Sequence, residues 1–304
     1  MLFLPDSQWD QLYKPIDDTL RSHLPYTFHG YSTNFERESS DTSIWMVDIS
    51  SGPVNHQVEI TSPARYFKTY LGFDPSQEIG VLDWLVCHDH RLLTLTSGMV
   101  FHDDLGLQAM REKLAYYPRE VWLYIMAAAW MKISQEEPSM GRTGDVGDEN
   151  GSRILAARLV QYLMRLAFLL ERRYAPYSKW FGSGFERLEC SRKLTPIFSR
   201  ALAAADWQAR QQYMSQAYET LAEMHNALHI TPALDPHVSS FLERPYLVIH
   251  GKRFSDALLN EIQSEEVRKL PPYIGSINQF VDSTDVANKV KLIRRLKGVY
   301  LNGA

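Results

Sequence analysis

The spacing of apolar positions along this chain changes near Thr61. Before it, short runs rich in β-formers ("YTFHGYSTNF", "SIWMVDIS", "HQVEIT") lie between turn residues such as "SSGPVN". "LFLP" reads as the tail of another strand. One helix interrupts them, "DSQWDQLYKPIDDTLRSHL", with Asp6 or Ser7 as N-cap and Pro15 as a kink or break. After Thr61 helical spacing takes over. "TSPARYFKTYLGF" puts Pro63 in a first turn, and "VLDWLVCHDHRLLTLTS" follows. "YPREVWLYIMAAAWMKISQEE" has Val121, Trp122, Ile125, Ala128, Ala129 and Ile133 at helical intervals, with Pro138 expected to end it. "RILAARLVQYLMRLAFLLERRY" presents Leu155, Leu159, Tyr162, Leu163, Leu166 and Leu170 as a core face. "DWQARQQYMSQAYETLAEMHNALHI" is a further long helix, capped by Asp206. "RPYLVIHGKRF" predicts a strand and turn, and "SDALLNEIQSEEVRKL" a helix. The pattern predicts an α+β chain, mostly helical, with a small α/β module over residues 1–62 and a helical domain over 63–304.

Between the two most apolar helices lies "QEEPSMGRTGDVGDENGSR". It holds Glu136, Glu137, Asp145, Asp148 and Glu149 with Arg142 and Arg153, and glycines at 141, 144 and 147. One reading is a turn and capping segment with solvated charges. The other is an anion site built from backbone amides, a helix N-terminus and the two arginines, with the acids neutralising them or placing a cation. It is not a P-loop, because no Gly-Lys-Ser/Thr follows the glycines. Arg158, Arg165 and Arg172 recur every seven residues on a largely apolar helix. They are expected to need carboxylates such as Glu136 or Glu137, or to contact a ligand. In "ERRYAPYSKW", Tyr174, Tyr177 and Trp180 beside basic residues could stack a base, grip phosphate or close a helix end.

The histidines carry less. "CHDH" and "FHDD" read as polar turns, lacking a full ligand set. His225 and Asn226 read as a satisfied core pair or a substrate contact. Arg244 and His250 lie in a strand-like run, which speaks against a ribonuclease motif. Glu59, an acid among apolar residues in a predicted strand, is a candidate metal ligand.

Composition adds boundaries. A net charge of −4 over 304 residues gives no global reason to expect nucleic acid. Cys87 and Cys190 form neither a disulfide framework nor a zinc pattern, and with no signal-like opening or spanning segment they suggest a cytoplasmic protein without a membrane partner.

The run from "YYPREVWLYIMAAAW" through "ERRYAPYSKW", with "LGFDPSQEIGVLDWL", "AEMHNALHITPALDPHV", "RPYLVIHGKRFSDALL" and "IGSINQFVDSTDV", resembles the bacterial family known as domain of unknown function 4037. Residues 135–179 form its characteristic motif. The resemblance implies a nucleotidyltransferase-like protein: a polymerase-β-like α/β module, partial in this chain, followed by a helical domain. It implies Mg²⁺ and ATP or another NTP as cofactors, with nucleoside monophosphate transferred to a protein, RNA or small-molecule acceptor. Glu59 would be a metal ligand, and Arg142, Arg153, Arg172 and Lys179 would meet phosphate. Glu136, Glu137, Asp145, Asp148, Glu149, Arg165, Tyr174, His225 and Asn226 would serve the substrate or the structure. The family's Gly-Ser turn and paired acids would precede "LFLP", so this chain is expected to be truncated or degenerate and not to catalyse transfer alone. A non-catalytic ligand-binding or protein-interaction module is the alternative.

Overall fold

The computed structural model describes residues 1–37 and 43–301, and its chain divides into two units. Met1–Ser76 and Met99–Met110 form the first; Gln77–Gly98 and Arg111–Ala304 form the second. The whole is a mostly helical α+β protein.

In the first unit, β1 (Leu2–Phe3) is followed by α1 (Trp9–His23). Pro15 sits inside α1 without ending it. Two antiparallel pairs follow: β2 (Thr27–Phe28) with β3 (Tyr31–Ser32), and β4 (Phe35–Arg37) with β5 (Ile44–Met46). His29 and Gly30 turn the first pair with φ of 51° and 83°, the two-residue turn that matches strand twist. β6 (Ile60–Thr61) pairs in parallel with β1, Leu2 opposite Ile60. The strand expected over "HQVEIT" is therefore only its end. Glu59 lies just before it, giving its carbonyl to Leu2 N at 2.9 Å while its side chain is exposed. Ser62 caps α2 (Pro63–Leu71), with Pro63 at its first position as expected.

The second unit begins with α3 (Val81–Leu85) and α4 (Asp89–Thr96). The boundary between the units falls within the sequence of α5 (Leu107–Lys113). α6 (Arg119–Asp145) is the central helix: every residue from Val121 to Met131 is buried. A helix apolar all round belongs inside a bundle, and α7 (Glu149–Leu170) is among its neighbours. After the short α8 (Phe181–Phe185), α9 (Ser191–Ala203) and α10 (Trp207–Ala227) pack on each other and on α7. A two-stranded hairpin, β7 (Ser239–Ser240) and β8 (Leu247–Val248), leads to α11 (Gly251–Asn260), which lies on α6. There Trp130 stacks on Phe254 with centroids 4.3 Å apart.

The expected stop at Pro138 is overturned: α6 runs on to Asp145. A proline inside a helix forfeits one backbone hydrogen bond. The turns beyond it compensate by packing. A Cβ on Gly141 would meet the Tyr246 ring at 2.9 Å, and one on Gly144 would meet Trp207 at 2.3 Å. These two glycines permit close approach within a helix rather than a turn. Gly147 alone of the three has positive φ, 86°. The junction between α6 and α7 is thus only Val146, Gly147 and Asp148.

Candidate functional site

Lys132 is the first charged side chain on α6 after its long buried stretch, and it lines a cavity of about 380 Å³. α6, α7 and residues 276–282 supply most of the walls. Four cations face it, Lys132, Arg158, Arg165 and Arg173, against two carboxylates, Asp89 and Asp282. Lys132 donates to the Gln279 carbonyl and lies 4.6 Å from the Tyr162 ring centroid. Arg158 pairs with Glu136, one of the two carboxylates expected to serve the arginine stripe. Arg165 lies 5.2 Å from the Phe181 ring centroid. Among the described residues, neither the Arg165 nor the Arg173 guanidinium has a hydrogen bond or ion pair. Unpaired guanidiniums facing a cavity are suited to bidentate recognition of a phosphate or carboxylate.

Asp89 ties the cavity together. As the first residue of α4 it accepts hydrogen bonds from the Tyr117 hydroxyl and, at 3.0 Å, from Asn278 Nδ2. Its own N–H donates to Asn278 Oδ1 at 3.0 Å. Burial raises its pKa to about 6, opposed by the Tyr117 hydroxyl and the Arg165 charge. His88 is driven down to about 4 by burial, then by Arg165, His90 and Arg91. The "CHDH" stretch, expected to be a polar turn, instead starts α4 and supplies a cavity carboxylate.

Two further cavities adjoin the first through shared side chains. One of about 680 Å³ shares Phe168 and Arg173 with it and adds Arg187 and Trp180. The other, about 400 Å³, shares Arg165, Val281 and Asp282.

The acidic segment serves the architecture. Glu137 is buried and accepts from the N–H groups of Ile249 (2.7 Å), His250 (3.1 Å) and Gly251 (3.1 Å), closing the start of α11. Burial lifts its pKa to about 7 against those amides and the Ser134 hydroxyl. Asp145 accepts from the Tyr246 hydroxyl at 3.0 Å. Asp148 caps α7 through Gly151 N at 2.8 Å, in line with the capping reading of this segment. Glu149 accepts from Trp207 N and from the fully buried Arg210, both at 3.1 Å. Arg210 also donates to Ser152 at 2.7 Å and to the Ala204 carbonyl at 3.1 Å.

The remaining candidates are placed as follows. Arg153 donates to the Ala205 carbonyl at 3.2 Å, and Arg142 is exposed beside Tyr246. Arg172, with φ of 53°, lies 5.1 Å from the Trp122 ring centroid. Lys179 lies 5.2 Å from the Trp180 ring. None of these four cations lines the 380 Å³ cavity, whereas Arg165 does. Tyr174 donates to the Leu114 carbonyl at 3.0 Å. His225 is fully buried, accepting from Trp130 at 3.2 Å and meeting Thr231 Oγ1 at 3.0 Å. Burial lowers its pKa to about 4, which fits the core reading. Asn226 exchanges two hydrogen bonds with the Leu234 backbone, at 2.7 and 3.0 Å. Among the described residues no group of three or more His, Cys, Asp or Glu side chains is placed to hold a metal ion. Among the described residues, Glu59 therefore belongs to no such group.

Residues 84–181 match the family described as Domain of unknown function (DUF4037). No curated protein and no solved structure matches the chain. The DUF4037 region contains Asp89 and all four cavity cations, while residues 276–282 close the cavity from outside it. Sequence reasoning missed Lys132, Arg173 and Arg210. Lys132 had a signal, as a lone cation directly after eleven apolar residues of the DUF4037 region. Among the described residues, no helix is long and apolar enough to cross a membrane.

Proposed function

We propose that this protein is a nucleotidyltransferase-like protein that binds a nucleotide or another phosphate-bearing ligand in the cavity walled by α6, α7 and residues 276–282. One observation carries the reading. Arg165 and Arg173 face that cavity with no hydrogen bond or ion pair to either guanidinium among the described residues, beside Lys132 and with only two carboxylates in the lining. Two guanidiniums on one cavity wall, Arg165 half-buried and Arg173 exposed, offer charge-assisted contacts to an anionic ligand. The size suits a nucleotide, because small-molecule pockets span roughly 300–1,000 Å³. Tyr162 and Phe280, both in the lining, offer faces for a base. The proposal is one of binding, and no transfer step is assigned to the described residues.

Isothermal titration calorimetry of the full chain with ATP, with and without Mg²⁺, tests it. The expected result is saturable heat, weakened about tenfold or more by Arg165→Ala or Arg173→Ala, the loss expected of a charge-assisted contact. No heat and no thermal shift with ATP, inorganic phosphate or pyrophosphate would sink the proposal.

A further inference from the structure

We infer that the cavity and its 680 Å³ neighbour form one continuous track for a single-stranded polynucleotide, passing over Arg173. The inference rests on the phosphate-binding reading and extends it to a substrate class. Arg173 and Phe168 line both cavities, so the two are immediate neighbours. A mononucleotide held by Lys132, Arg165 and Arg173 would leave the second cavity unused. That second cavity repeats the same chemistry. Arg187 is exposed in it, and its guanidinium forms no hydrogen bond or ion pair among the described residues. Trp180 lines it with 52% of its surface exposed, although tryptophan gains most by burial. Cations and aromatic side chains in each of two adjoining cavities match a strand whose phosphates repeat and whose bases stack. The lining of the second cavity contains no carboxylate. A net charge of −4 for the whole chain does not oppose this, because recognition depends on the local distribution of charge. His90, in the same lining, adds a ring whose basicity is held down by burial and by Arg91.

The test is fluorescence anisotropy of the full chain with a labelled single-stranded RNA of about eight nucleotides, and with DNA of the same sequence. Calorimetry with ATP runs in parallel. The expected result is oligonucleotide binding that weakens as salt rises. Trp180→Ala and Arg187→Ala should each weaken it about tenfold. Both residues are exposed and outside the first cavity, so ATP affinity should hold. Equal binding of RNA and DNA supports a track that reads phosphate and base faces; a preference for RNA supports the same track with the 2′-hydroxyl also read. Oligonucleotide that binds no tighter than ATP, or that ignores both substitutions, overturns the inference while leaving the nucleotide site standing. Loss of ATP binding as well removes both.

Discussion

Glu137→Gln offers the sharpest physical test of how the second unit is held together. The carboxylate is 4% exposed and receives the Ile249, His250 and Gly251 amides, the last two among the donors that the start of α11 cannot satisfy internally. Two effects oppose each other there. The amides favour the ionised acid, burial disfavours it, and burial wins, raising the pKa from 4.5 to about 7. An acid whose folded pKa is raised holds its proton longer in the native state than in the unfolded chain. Its stabilising contribution is fully present below about pH 4.5 and is lost as pH rises through about 7. The difference of 2.5 units, 7 minus 4.5, corresponds to about 3 kcal/mol across that window. The glutamine side chain of the variant cannot ionise, so its stability should not share this slope. Urea denaturation of both proteins from pH 4.5 to 8, followed by circular dichroism, isolates the effect, since every other titrating group cancels in the difference. The expected outcome is a gap between the two that moves by about 3 kcal/mol in favour of the glutamine variant as pH rises. A gap independent of pH would refute the reasoning. Glu137→Ala is the companion variant. It leaves the amides without their acceptor and should lose on the order of 3 kcal/mol at pH 4.5, a loss that shrinks as pH rises because alanine, like glutamine, cannot ionise.

Two further substitutions test the frame. Arg210→Met removes the buried guanidinium that joins α10 to Ser152 and Glu149, and should cost about 3 kcal/mol in a urea melt. A loss below about 1 kcal/mol would show that the network contributes little. Gly144→Ala places a methyl 2.3 Å from Trp207 and should cost about 1–3 kcal/mol through overpacking. At Gly147, with φ of 86° and open space around it, alanine should cost about 1 kcal/mol through backbone strain alone. Thermal melts of the two variants separate these causes.

The long helices were legible because their apolar positions repeat over many turns, and Glu136 with Arg158 was legible because both project from neighbouring apolar helices. Pro138 misled because local propensity is weaker than tertiary packing, here the approach of Tyr246 and Trp207 to glycines one and two turns further on. The role of Glu137 was not legible, since its partners lie 112 to 114 residues away. The same holds for the cavity: Arg165 was a candidate, but nothing local shows that residues 276–282 lie opposite it. The seven charges of residues 135–153 suggested an anion site. In the structure several of its acids instead cap helices or meet arginines. Arg165 and Arg173, whose guanidiniums have no hydrogen bond or ion pair among the described residues, lie further along α7 and just beyond it.

The ties on residues 275–279 set how a ligand would be received. Asn278 bonds Asp89 and the Cys87 carbonyl, Gln279 bonds the Ile125 carbonyl and Ser276 N, and Tyr300 bonds the Gly275 carbonyl. This wall is anchored to α4 and α6 before anything binds. An incoming molecule therefore meets a preorganised receptor and need not supply the free energy to order a loop. Association should then follow a single exponential whose rate rises linearly with ligand concentration, without the saturation that a slow closing step imposes.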